Sequence, residues 1–436
     1  WKSIASNLPD KHLVWRIVQD HENQNLLFVG TEFGLFFTVD GGKQWTELTG
    51  GLPTISFRDV KIQRRENDLV VGTFGRGIYI LDDFSPLRQI NEESLKQEAL
   101  LFPSRDALWY LPERFHTSTH GDFEYQAENP DFGATFTYYL RDGIKSLSEQ
   151  REDQESEMEE KDRYPLYPSW EDLETELREA DPSVYLVIEN EQGNPIRKVN
   201  AEAEKGLHRV TWDLRLSSSR ALGSGSSDDV GPLASPGIYN ATLFSNANGE
   251  TRKLTDAVSF NVKPLSYGTV EGSVSPQERS AMMIDVSDLR RRLSIANSKI
   301  DHLKAQLKSF RVALDRSTAV TGDSEIRFEQ LRQEIFSIEE MVSGKRSSRG
   351  FGSSPATISS RLSMVELGRV NTWGLTDTQK QQMVYVQVAL EELEPKVDNL
   401  FNNDFPAFKK ILLEAGAPWI PDGLTDADSD EPEDMD

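Results

Sequence analysis

The stretch Val71–Asp83, VGTFGRGIYILDD, has the chemistry of two strands joined by a tight turn. Gly72, Gly75 and Gly77 tolerate φ > 0 where other residues clash, and Ile78-Tyr79-Ile80 is a β-branched and aromatic run of the kind that fits a pleated sheet. Thr73 and Arg76 sit among the glycines, and Asp82-Asp83 closes the run before Phe84-Ser85-Pro86.

Working outward, the stretch repeats an earlier one. Val29-Gly30-Thr31 matches Val71-Gly72-Thr73, Gly34-Leu35-Phe36 matches Gly77-Ile78-Tyr79, and Trp1 with Leu8-Pro9 matches Trp45 with Leu52-Pro53. The offsets run from 42 to 44 residues, the period of a four-stranded propeller blade. Helical solenoids of similar period fit poorly, because the apolar runs at Leu26–Val29 and Leu69–Val71 are short and bounded by turn residues.

Between the two copies lies Thr38-Val-Asp-Gly-Gly-Lys-Gln-Trp45, of the S/T-x-D-x-G-x-x-W form called an Asp box. The Asp40 carboxylate is suited to accept backbone N–H groups across a hairpin turn, with Gly42 at positive φ and Trp45 packed between blades. Thr38, Asp40, Gly42 and Trp45 are therefore read as structural. A carboxylate that locks a turn has no lone pairs left for a substrate.

On these residues the chain resembles the bacterial sortilin-like, Asp-box (BNR-repeat) propeller proteins, often labelled glycosyl hydrolases. The resemblance rests on Leu27–Leu35, the Asp box and the family motif Gly72, Thr73, Gly75, Arg76, Gly77, Asp82 and Asp83, followed by Ser85-Pro-Leu-Arg88. It continues through Glu128-Asn-Pro130, Gly133-Ala134, Tyr138–Leu140, Gly206–Arg215, Pro236–Tyr239 and Leu412–Gly416, and so spans nearly the whole chain. The acidic segment between Asp142 and Pro182 departs from the family pattern. The resemblance implies a secreted or cell-envelope protein whose complete propeller binds a glycan or a peptide. It implies, alternatively, an accessory part of a sialidase- or xyloglucanase-like glycoside hydrolase with its paired carboxylates in upstream blades.

Length and composition set further bounds. A chain of 436 residues holds about two to four domains, and with 37% hydrophobic residues it can bury sizeable cores. No apolar run is long enough for a transmembrane helix or a signal peptide, and a chain that opens on Trp1 within a repeat is expected to lack its natural start. There is no cysteine, hence no disulfide and no thiolate metal site. Much of the net charge of −24 is local. Glu149–Asp181 holds fourteen acidic and four basic residues, a net −10, and Asp422–Asp436 holds eight acidic and none basic, a net −8. The near-balanced remainder offers no basic face for nucleic acid.

The expected organisation is multidomain. Residues 1–90 supply the last blades of a β-propeller, about one and a half repeats, which seldom stand without neighbours. Residues 91–131 form a crossing linker with a short helix at Glu92–Ala99. Within it His116 and His120 stand four apart, but Thr-Ser-Thr between them and Gly121 after them predict a loop, and a third metal ligand is missing. Residues 132–264 alternate as about seven short strands of an Ig-like β-sandwich, with Trp212 as core and Ser217–Gly231 as a loop. An acidic helical insert at 145–181 interrupts it, with helices at Glu155–Lys161 and Trp170–Ala180. Its carboxylates lack the spacing of a calcium loop.

Residues 275–420 form an antiparallel helical bundle. It opens on the capping box Ser275-Pro-Gln-Glu278 and carries a seam at Leu289, Leu293, Ala296, Ile300, Leu303, Leu307, Phe310 and Leu314. Pro395 is expected to kink the last long helix, and the acidic tail 421–436 to be disordered. No nucleophile, base and orienter occur together, so no catalytic set, metal site or cofactor is expected. Apart from the Asp box, Glu32, Asp82 and Asp83 are the carboxylates in propeller-like motif positions, with Asp82 and Asp83 read as the cap of an exit turn.

Overall fold

The computed structural model describes the chain except residues 113–128, 165–166, 219, 223–229, 248, 266–273, 320–321, 345–355, 371–373 and 422–436. His116, His120 and nearly all of the acidic tail lie outside the described residues. The chain divides into two compact units, one of residues 1–214 and 237–263, the other of residues 215–236 and 264–436. It is β-rich first and helical afterwards.

Two antiparallel sheets open the first unit. One runs β1 (Val14–Gln19), β2 (Leu27–Thr31), β3 (Leu35–Thr38), β4 (Thr46–Glu47), in that order. The other runs β5 (Phe57–Gln63), β6 (Asp68–Thr73), β7 (Ile78–Leu81). The alternation of side chains along each strand decides the packing. Leu26, Phe28 and Leu35 leave one face of the first sheet to meet Phe57, Val60, Leu69 and Val71 of the second. Leu27, Val29, Phe36 and Trp45 leave the other face and meet Leu8. Both faces of β2 are therefore covered, and all five of its residues are buried.

Gly30 permits the close approach: a Cβ there would stand 2.5 Å from the Phe57 carbonyl oxygen and 3.1 Å from Val60 Cγ2. Phe84 closes the core edge-on to Phe28, at 5.1 Å between ring centroids, a geometry worth about 0.5–1.5 kcal/mol beyond the area it buries. The side chain of Asp20, fully buried, ties the pair together. It takes Nε and Nη2 of Arg88 at 2.8 and 2.9 Å, while Nη2 also reaches Asn67 Oδ1 at 2.8 Å. Asp20 follows β1 and Asn67 precedes β6, so one guanidinium bridges both sheets.

The second half of this unit contains a three-stranded and a six-stranded sheet. β8 (Ala99–Leu101), β10 (Ala134–Leu140) and β13 (Gly206–Trp212) make the first. The larger has β9 (Ala107–Trp109), β11 (Ser183–Asn190), β12 (Pro195–Ala201), β14 (Gly237–Ala247), β15 (Glu250–Lys253) and β16 (Val258–Pro264). Strand β10 is buried at every second residue. Trp212, fully buried, meets Tyr239 and Phe260 edge-on at 5.3 and 6.0 Å, and Phe136 meets Phe260 at 5.0 Å.

The expected linker 91–131 is corrected here. Two of its segments, β8 and β9, are strands of these sheets, and their three-residue length left no period to read. Nor does a helix form at Glu92–Ala99. Asn91 Oδ1 accepts the N–H groups of Glu93 and Ser94, one 3₁₀ turn follows, and Ala99 then pairs with Leu140. The insert does form two helices, α1 (Leu147–Glu160) and α2 (Trp170–Arg178), each opened by a reciprocal capping box.

The second unit packs α3 (Pro276–Asp315), α4 (Gly322–Ser343), α5 (Ile358–Glu366), α6 (Asp377–Asn399) and α7 (Phe405–Glu414) around one core. The whole heptad seam of α3 contributes to it. Two expectations are corrected. Residues 215–236, read as part of the sandwich, belong to the helical unit, where the Ala221 N–H donates to Ser294 Oγ at 3.0 Å. Pro395 lies inside a continuous α6, and the irregularity is a π segment at Leu400–Asp404. The carbonyl that Pro395 leaves without a helical donor is that of Glu391, one turn earlier, whereas the π segment lies just before Pro406 at the start of α7.

Candidate functional site

The turn at Thr38–Trp45 is locked by the carboxylate at its centre. Asp40 Oδ1 accepts the Thr38 hydroxyl at 2.7 Å and the N–H groups of Lys43 and Gln44 at 2.8 and 3.1 Å. The Gly42 N–H donates to Thr38 Oγ1 at 3.1 Å, and Gly42 has φ +89°. Burial pushes the Asp40 carboxyl up, but the bonds from Thr38 and the two amides outweigh it and hold it below the ordinary carboxylate value. Trp45 is 4% exposed; its indole N–H donates to Ile4 O and its backbone N–H to Asn7 Oδ1, both at 2.7 Å. These four residues hold a turn, and all three of the bonds that Asp40 accepts fall on its Oδ1.

Forty-three residues after Asp40 stands Asp83, at φ +39°. Its Oδ1 accepts the N–H and hydroxyl of Ser85 at 3.2 and 2.6 Å, and the carbonyls of Asp82 and Asp83 accept Arg209 Nη2 at 2.5 and 2.8 Å. This pair shapes the exit from β7 toward β13.

The other end of the two sheets is built differently. The Thr31 hydroxyl and N–H both donate to Gly34 O, at 2.8 and 2.9 Å, and Thr73 does the same to Gly77 O at 2.7 and 3.0 Å. The next residue in each turn is also matched: the Glu32 N–H donates to Leu13 O, and the Phe74 N–H to Ser56 O, both at 2.9 Å. Gly72 and Gly77 thus frame a turn that repeats the earlier one, with Gly75 (φ +84°) and the exposed Arg76 at its tip.

Each sheet carries an irregularity beside that turn. The register of β1 with β2 shifts between Val14 and Arg16, and that of β5 with β6 between Phe57 and Asp59. Trp15 and Arg58 are the residues between, again 43 apart. A bulge re-aims the extra side chain, and here the two meet: the Arg58 guanidinium lies 3.7 Å from the centroid of the Trp15 ring and 5.2 Å from that of Phe74. The Trp15 indole N–H donates to Glu32 Oε2 at 2.8 Å. Phe74 is 70% exposed and Phe33, edge-on to His12, is 47% exposed. Aromatic faces, a guanidinium and a carboxylate are gathered at one wet surface, suited to stacking and hydrogen bonding with a ligand.

The sequence singled out Glu32 as a propeller carboxylate and Arg76 as a residue among the turn glycines, but not Trp15, Arg58 or Phe74. The 43-residue repeat was the available signal. Among the described residues no group of three or more metal-ligating side chains is gathered, and no helix is long and apolar enough to cross a membrane.

No protein-family model and no curated protein matches the chain. Two solved structures of the extracellular domain of BT4673 from B. thetaiotaomicron are similar over part of it. Both are 12% identical, with TM-scores of 0.13 and 0.14, and cover 58% and 59% of this chain. The chain spans about a quarter of the length of those structures, 25% and 26%.

Proposed function

We propose that residues 1–90 are successive blades of a sortilin-like, Asp-box β-propeller, joined to an Ig-like sandwich and a helical bundle, and that the blades bind a glycan or peptide ligand outside the cell. The observation that carries this reading is the stacked pair of bulge residues, Trp15 and Arg58, at equivalent positions of two repeats. Further repeats arranged in the same way would bring further bulge residues to the same end of the ring.

A second observation supports a ring. The face of the first sheet that carries Leu35 is covered by the second sheet, while Ile78 and Ile80, the equivalent residues of the second sheet, are 69% and 59% exposed. The second sheet thus turns to the first the face that the first turns to Leu8, and leaves open the face that the first turns to the second, a head-to-tail relation that closes into a ring when the rotation allows.

Titrating the protein with a panel of oligosaccharides and peptides, followed by Trp15→Ala and Arg58→Ala, tests the reading. Binding that either substitution weakens at least about tenfold, with the fold retained, is the expected result. Binding that survives both would move the ligand elsewhere. Turnover of a bound glycan would assign the protein to the hydrolases instead.

A further inference from the structure

The acidic insert contains an amphipathic helix with its apolar side turned to water. Trp170, Leu173 and Leu177 fall at i, i+3 and i+7 of α2, one stripe of the helix, in which Trp170 and Leu177 are 87% and 86% exposed and Leu173 between them is half-buried. Isolated apolar side chains at a surface are ordinary. Three at helical spacing on a nine-residue helix are the pattern by which a helix is read by a groove.

The helix is held in place by its other side. Arg151 of α1 grips Glu176 with Nε at 2.8 Å from Oε1 and Nη2 at 3.1 Å from Oε2, while its Nη1 reaches Glu155 at 2.8 Å. The Leu147 N–H donates to Glu179 Oε2 at 2.7 Å. The capping boxes at Ser146 and Ser169 fix both helix starts. The stripe is therefore presented on a pre-formed hairpin, which lowers the entropy lost on docking. The segment that carries it is strongly acidic, with the fourteen acidic and four basic residues of Glu149–Asp181 giving the net −10 noted above.

We propose that α2 is a docking element that seats Trp170, Leu173 and Leu177 on a partner protein whose surface is apolar at its centre and lined with lysine or arginine at its rim. Charge complementarity selects that partner: a neutral or acidic rim would face uncompensated carboxylates, and a basic one gains both steering and register.

The test uses the whole chain and a defined probe, a labelled helical peptide with leucine at heptad positions and lysine elsewhere, titrated by fluorescence anisotropy. The peptide is expected to bind, to weaken as salt is raised, and to lose at least about tenfold in affinity on the combined substitution Trp170→Ala and Leu177→Ala. Those changes preserve every charge, and both side chains are exposed, so the hairpin should still fold; Trp170→Phe with Leu177→Met should restore binding. Equal affinity for the original and the alanine variant would reduce the contact to charge alone and overturn the proposal, as would failure of the peptide to bind.

Discussion

The two sheets that open the chain are built from the same repeat and meet different fates. In the first, Leu27 and Val29 face one way and Phe28 and Leu35 the other, and both faces are covered. In the second, Leu69 and Val71 are buried against the first sheet while Ile78 and Ile80 stand in water. The two glycines of the Val-Gly-Thr motif record the same difference. A Cβ on Gly30 would strike the Phe57 carbonyl, whereas one on Gly72 would meet nothing closer than 3.9 Å, and that in its neighbouring strand. A repeat encodes both its faces whether or not each is used. In the propeller proposed above, an apolar residue exposed at a position where its twin is buried is where another sheet would sit.

Several changes sharpen that contrast. The largest effect is expected at the clamp that joins the sheets: Arg88→Ala takes the guanidinium from the buried Asp20 carboxylate, leaving it the Asn23 amide and His21, and should cost about 3–5 kcal/mol in chemical denaturation. Gly30→Ala should cost about 1–3 kcal/mol through overpacking, while Gly72→Ala should leave stability unchanged or raise it by up to about 1 kcal/mol by restricting the unfolded chain.

The clamp also sets an acid response. Burial raises the Asp20 carboxyl, but the bonds from Arg88 and the Asn23 amide more than offset this and leave it lowered. A carboxyl lowered in the folded state contributes stability above its unfolded value, about 3.9, and loses that contribution as pH falls through the folded value. Unfolding midpoints should therefore drop below about pH 4, and drop less in Asp20→Asn. Smallest in stability is Trp15→Ala, within about 1 kcal/mol because the ring is 37% exposed, although ligand binding should depend on it.

Much of this architecture was legible because it is local. The glycine spacing, the Thr38–Trp45 turn, the alternation of Ala134–Leu140 and the seam of α3 each announce themselves within one period of strand or helix. Strands β8 and β9 did not, since three residues show no alternation and their pairing is decided by partners far along the chain. The same holds for the Asp20–Arg88 pair, 68 residues apart, and for residues 215–236, whose place depends on helices beginning at Pro276. Trp15 and Arg58 were hidden for another reason. A bulge breaks the alternation that strand reading relies on, and only the repeat offset links the two residues.

The matched pair Leu35→Asp and Ile78→Asp tests the central contrast most directly, with unfolding free energy and sedimentation measured for each. Leu35→Asp should destabilise the protein by at least about 3 kcal/mol, because it buries a charge between the sheets. Ile78→Asp should stay within about 0.5 kcal/mol of the original and reduce self-association, because it places that charge on a bare face. Equal losses at the two sites would mean that the outer face of the second sheet is already covered, and would contradict the account.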